Sequence, residues 1–270
     1  MNKISNFVEL NKSEKIWAIG SIHSNLSSFS SIKKYILNNF NSDDKLIFLG
    51  NIIGLGESSK ETLSSVLDLR SKLMSKFKLK PESIVFLRGA QEEMFTKLLQ
   101  LQLAPNPTEI IEWMFEHGVN KTINSYGFST DEIKTISSTG TINISKWTSN
   151  LNKTLQMIPG HTQYFLNLKH AAYSQTKKIL FVNRGVDITR PLSAQNDCFW
   201  WGFQNFSKIQ HPYKTFTRIV RGYESEHLNE LENSKNNVVC TLFKQPLSNK
   251  NVLFGIFKEN GEILDLFENN

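Results

Sequence analysis

Only two cysteines, Cys198 and Cys240, occur in the 270 residues, and neither lies in a paired motif. This excludes a disulfide framework and a cysteine-based zinc site, and it predicts a reducing compartment. Long apolar runs are missing as well. The first seventeen residues, MNKISNFVELNKSEKIW, hold no stretch of the kind a signal peptide needs, and no segment could span a bilayer. A cytoplasmic protein with no membrane partner is expected. Lys and Arg outnumber Asp and Glu by 31 to 25, but they are spread along the chain, and no basic run marks a nucleic-acid surface. No nucleic acid is expected as a partner. Several motifs are also absent. GNIIGLGESSKET follows an apolar run and precedes a helical pattern, as a P-loop does, but Lys60 does not follow a glycine. Neither GxGxxG nor GxSxG occurs. His117, His161, His170, His211 and His227 are scattered without an HExxH-like pair and read as structural. Trp200 and Trp201 read as packing residues. Sequons such as Asn120-Lys121-Thr122 follow from an Asn-rich composition.

Apolar residues make up 39% of the chain, enough for a sizeable core, and the charge is mixed, which argues against disorder. The length suits one large α/β domain. We place it at residues 15–268, after an N-terminal extension at 1–14. KIWAIG (15–20), KLIFLG (45–50) and SIVFLRG (83–89) read as buried strands that stop at glycine. Helical patterns follow each, at FSSIKKYILNNF (29–40), KETLSSVLDLRSKLMSKF (60–77) and QEEMFTKLLQLQL (91–103). Strand, glycine turn and helix thus recur three times, the signature of an α/β protein with crossover connections. Residues 105–159 mix helical patterns with polar stretches. KKILFVNRG (177–185) and TRIVRG (217–222) read as further strands, and NVVCTLF, NVLFGIF and EILDLF as late strands in hairpins around Asn249 and Gly261.

In α/β sheets, chemistry collects at the carboxyl ends of the strands. Five strand ends here carry short motifs: Gly20-Ser21-Ile22-His23-Ser24, Gly50-Asn51-Ile52-Ile53-Gly54-Leu55-Gly56, Arg88-Gly89-Ala90-Gln91-Glu92, Val182-Asn183-Arg184-Gly185 and Gly222-Tyr223-Glu224. In this order they resemble the GDxHG, GDxxDRG, RGNHE, VHAG and GHT motifs of the calcineurin-like metallophosphoesterases. The closest likeness is to the bacterial serine/threonine-phosphatase and diadenosine-tetraphosphatase branch. GVNKTINSYG (118–127), IPGHTQYFLNL (158–168) and PLSAQNDCFWWG (191–202) are similar to framework segments of that branch, so the resemblance runs from about Lys15 to Phe267. It implies a sandwich of two mixed β-sheets flanked by helices.

The resemblance also implies a phosphoesterase with two divalent metals, whose ligands would fall at six positions of this chain. His23 matches the family's histidine. Ser21 and Asn51 stand where it has aspartate, Ala90 where it has asparagine, and Asn183 and Tyr223 where it has histidine. Gln91 replaces the histidine that protonates the leaving group, Gly54 the aspartate that orients it, and Leu55 the arginine of the second motif. Two adjacent dications without an anionic ligand repel by several kcal/mol even at a moderate effective dielectric, on the order of ε = 20. No cofactor is therefore expected. A single ion held weakly by His23, Asn51 and Asn183 is the alternative, against a hydrogen-bonded turn histidine at His23. Arg88, Arg184 and Arg221 sit at three of the strand ends, where guanidinium could replace the lost positive charge and hold an anion. They could equally pair with Glu92 and Glu224 or point outward. The expectation is a non-catalytic pseudophosphatase that binds a phosphorylated ligand or a protein partner. The alternative is a phosphoesterase with residual or altered activity.

Overall fold

A computed structural model describes residues 6–195, 197–202, 206–223, 238–243 and 252–268. Glu224, His227 and Asn249 lie outside the described residues. The strands are β1 (Phe7–Glu9), β2 (Ile16–Ile19), β3 (Lys45–Phe48), β4 (Ile84–Phe86), β5 (Ala171–Tyr173), β6 (Ile179–Val182), β7 (Arg218–Arg221), β8 (Val239–Thr241), β9 (Leu253–Phe257) and β10 (Ile263–Glu268). The helices are α1 (Leu26–Asn39), α2 (Ser59–Phe77), α3 (Ala90–Leu98), α4 (Pro107–Glu116), α5 (Val119–Ser125), α6 (Thr130–Ser137), α7 (Thr141–Met157), α8 (His161–Asn167) and α9 (Cys198–Trp201).

These strands form two mixed five-stranded sheets, β1-β5-β6-β7-β8 and β10-β9-β2-β3-β4. The alternation of side chains along a strand explains the layers. In the second sheet Ala18, Ile47 and Val85 meet Phe181, Val220 and Cys240 of the first sheet in a buried inter-sheet core. Trp17, Ile19, Leu46 and Phe48 turn the other way, into the core beneath α1 and α2. On the far face of the first sheet, Leu180, Val182 and Ile219 pack under Phe199, Trp200 and Phe206. The molecule is thus an α/β sandwich of two mixed sheets flanked by helices, as the motifs implied.

Two details depart from the sequence reading. Residues 7–14, set apart there as an extension, contribute the edge strand β1, parallel to β5, and place Leu10 in the inter-sheet core. A three-residue edge strand is too short to show a period in sequence. No hairpin joins NVVCTLF to NVLFGIF: β8 pairs with β7 in one sheet and β9 with β2 in the other. The hairpin around Gly261 is present, as antiparallel β9 and β10.

Candidate functional site

The carboxyl ends of β2, β3, β4, β6 and β7 come together, and their backbones are tied directly. Ser21 N donates to Gly222 O at 2.8 Å, and His23 N to Asn51 O at 2.8 Å. Gly222 N and Tyr223 N both donate to Asn183 O, at 2.8 and 3.0 Å. Asn183 Nδ2 reaches across the sheets to Leu49 O at 2.6 Å. The five motifs therefore form one site. At Gly50, φ is +86°, and a Cβ there would lie 2.9 Å from Asn183 Nδ2, so only glycine allows this approach.

Glu92 holds the site together. It is fully buried at the third position of α3 and accepts from Asn51 N (2.8 Å), Ile52 N (2.8 Å), Ile53 N (3.4 Å), Gly89 N (3.0 Å) and the Tyr164 hydroxyl (3.0 Å). Burial pushes its pKa up, and the backbone donors pull the other way. One carboxylate thus fixes the second motif and caps α3. It takes no arginine partner, so the alternative in which the arginines pair with Glu92 does not hold: Arg88 pairs instead with Glu93, at 2.6 Å.

His23 is also corrected. It sits in a turn with φ +48°, but neither ring nitrogen has a hydrogen-bond partner. Burial lowers its pKa to about 3, and a backbone contact with Ile53 that falls short of hydrogen-bond geometry offsets only part of that. What surrounds the ring is aromatic. Tyr223 meets it edge-on at 5.1 Å and Phe243 at 6.1 Å, and the two flanking rings lie 4.7 Å apart. Arg184 lies over the other ring contact, 5.6 Å from the Tyr223 centroid. Phe243 had no signal in the sequence, since it lies in a late strand end outside all five motifs.

Gln91 and Gly54 are complementary. Gln91 Nε2 donates to His117 O at 2.9 Å, and the Gln91 side chain occupies the space a Gly54 side chain would need. The two positions thus pack as a pair, a long side chain at 91 requiring none at 54. Gly54→Ala, at φ +85°, is expected to destabilise the fold by about 1–3 kcal/mol, read by thermal unfolding. An unchanged melting temperature would refute this packing. Leu55 adopts φ +59° and packs against Gly118.

The donor set can be tested against two divalent metals. Among the described residues no group of three His, Cys, Asp or Glu side chains could hold an ion. Asn51 is consumed by the framework: Nδ2 donates to Ser21 Oγ at 3.2 Å, and Oδ1 accepts from Gln91 N at 3.0 Å. Ala90 starts α3 and offers no side-chain donor. That leaves the His23 nitrogens and Asn183 Oδ1, which are buried, unpartnered and neutral at physiological pH. Without a carboxylate to offset charge, these residues do not fit a pair of dications.

The three arginines diverge. Arg221 is 1% exposed and shares the Ile219 face of β7, because strand residues two apart point the same way. It donates from Nε to Thr241 Oγ1 at 2.7 Å and lies 4.4 Å from the Phe206 ring centroid. Arg88 bonds Glu93 and lies over Trp200. Arg184 is half-buried and lies over the Tyr223 ring. The remaining histidines are held elsewhere. His161 bonds Ser64 Oγ at 3.0 Å and the Tyr126 hydroxyl at 2.7 Å, and burial lowers its pKa to about 4. His117 stacks on Trp113 at 4.3 Å, and His170 packs against Phe7 and Trp200. His211 is exposed.

This arrangement of strands and loops is shared with solved phosphatases. A candidate diadenosine tetraphosphatase superposes with a TM-score of 0.55 at 14% identity, covering 98% of this chain and 99% of its own. A cold-active protein-tyrosine phosphatase of a psychrophilic Shewanella species superposes with a TM-score of 0.51 at 11% identity, covering 97% and 83%. No family profile matches the sequence, and no curated protein matches it. The chain has the calcineurin-like metallophosphoesterase fold. No helix among the described residues is long and apolar enough to cross a membrane.

Proposed function

We propose that this chain is a pseudophosphatase: it keeps the metallophosphoesterase scaffold and uses the former cleft to bind a phosphorylated ligand or a protein partner without hydrolysis. The observation that carries this reading is the donor set at the five strand ends. One imidazole remains, both aspartate positions are neutral, and Tyr223 stands against His23 where a second imidazole ligand would be. Arg184 lies over the Tyr223 ring, 5.6 Å from its centroid, and is the contact proposed for an anion. Arg88 is ion-paired with Glu93, and Arg221 donates to Thr241. Fold alone assigns no activity, because function resides in the site.

The test is metal content of the purified protein together with hydrolysis of p-nitrophenyl phosphate in manganese. Metal well below one equivalent and no turnover are expected. Stoichiometric metal, with turnover lost in His23→Ala, would establish the alternative of a phosphoesterase with altered activity. Inorganic phosphate or pyrophosphate is expected to raise the melting temperature of the native chain and not of Arg184→Ala. No shift with either would remove the anion and leave the protein partner.

A further inference from the structure

β4 is the edge of one sheet and β1 the edge of the other, and both line a single cavity of about 700 Å³. That is in the range of ligand sites, roughly 300–1,000 Å³. α2, α8, the Pro81–Glu82 turn and Lys169 supply the remaining walls, and no residue of the five motifs takes part. The edge of β4 is open there. Leu87 N donates to Phe48 O, so in this parallel register the Ile84 carbonyl and the Phe86 amide turn away from β3 toward the cavity. Lys169 bridges the carboxyl end of this edge, its N donating to Phe86 O at 2.9 Å and its O accepting from Arg88 N at 2.7 Å, so the open groups are Ile84 O and Phe86 N. An open edge beside an apolar wall is the feature that strand addition uses.

Charge selects the occupant. Arg70 of α2 is half-buried in the wall, and its side chain has no partner among the described residues. The two carboxylates of the lining are engaged, Glu9 with the Tyr173 hydroxyl and Glu82 with Asn11 Nδ2 at 3.4 Å. A half-buried guanidinium that has no carboxylate of its own favours an acidic group. We propose that this cavity docks an extended peptide segment of another protein. The segment adds as a strand to β4, sets apolar side chains beside Leu67 and Phe86, and brings an acidic side chain to Arg70. Tyr164 lines the same cavity, and its hydroxyl holds Glu92, which in turn holds the amides of Asn51, Ile52 and Ile53. Docking therefore steadies the loops of the former metal site from behind, whether or not that site turns over phosphate.

The experiment is selection of a random heptapeptide library on the native chain, followed by hydrogen exchange with the enriched peptides. Enriched sequences are expected to be apolar with an acidic residue, and to bind Arg70→Glu about ten-fold more weakly or worse. They are expected to protect the segment containing Ile84–Phe86 and the segment containing Asn51–Ile53. In Tyr164→Phe the first protection remains and the second is lost. Equal binding to Arg70→Glu, or protection confined to other segments, overturns the proposal. Dodecanoate is the control for a small amphipathic carboxylate. Protection of Ile84–Phe86 by dodecanoate, with no peptide enriched, would assign the cavity to that class instead and equally overturn the peptide.

Discussion

Acidification from pH 6.5 to 4.5 is expected to cost this fold far more than a typical surface titration does. His23 has its pKa lowered by burial from the ordinary 6.5 to about 3. Between those values the unfolded chain carries a proton on this ring that the folded chain does not. Stability rises with pH wherever the unfolded state binds more protons, so the contribution of His23 is complete above pH 6.5 and is lost as pH falls toward 3. At about 1.36 kcal/mol per unit, the full window amounts to roughly 5 kcal/mol, comparable to the whole stability of a small domain. His161, lowered to about 4 by burial, has the same sign over a narrower window. Glu92 and Asp44, raised by burial, act oppositely, so the difference between variants is the clean readout. Urea unfolding of the native chain and of His23→Gln, at pH 7.0, 5.5 and 4.5, measures it. The variant should lose about 2.5 kcal/mol less between pH 7.0 and 4.5. Parallel losses in the two proteins would mean that His23 is solvated or already bonded.

This buried histidine sits where the sequence was most readable. The five strand ends could be placed because each joins a short apolar run to a glycine, and both signals are local. The layer each residue faces was partly readable too. Ile219 and Arg221 must share a face of β7, so an apolar environment for one implies the same for the other. The guanidinium duly lies on Phe206, away from the inter-sheet core that holds Val220. What sequence could not supply is contact between distant segments. Phe243 reaches His23 from another strand end. Leu10 enters the inter-sheet core from a strand of three residues. The partner of Arg88 is Glu93 and not Glu92, because the Glu92 carboxylate is turned inward onto four backbone amides. A one-residue difference on a helix changes the face by about 100°, and only packing decides which acid is buried.

That inward carboxylate gives the second large effect. Glu92→Ala would leave the amides of Asn51, Ile52, Ile53 and Gly89, together with the Tyr164 hydroxyl, without their acceptor in a fully buried place. Each buried donor left unpaired costs about 1–3 kcal/mol, partly relieved where water can enter. A loss of about 4 kcal/mol or more is expected, at the extreme of single substitutions. Glu92→Gln keeps one acceptor oxygen and the shape of the side chain, so it should lose less, about half as much. Two further readings separate this role from that of a generic core residue. Hydrogen exchange should accelerate first at Asn51–Ile53 and at Gly89, which Glu92 holds, and not in the strand interiors. Tyr164→Phe should reproduce a fraction of the same pattern, since it removes one of the five donors without opening a cavity. A Glu92→Ala variant within 1 kcal/mol of the native chain, or one that loosens the strands before these loops, would show that the loops at the strand ends are held by their backbone contacts alone.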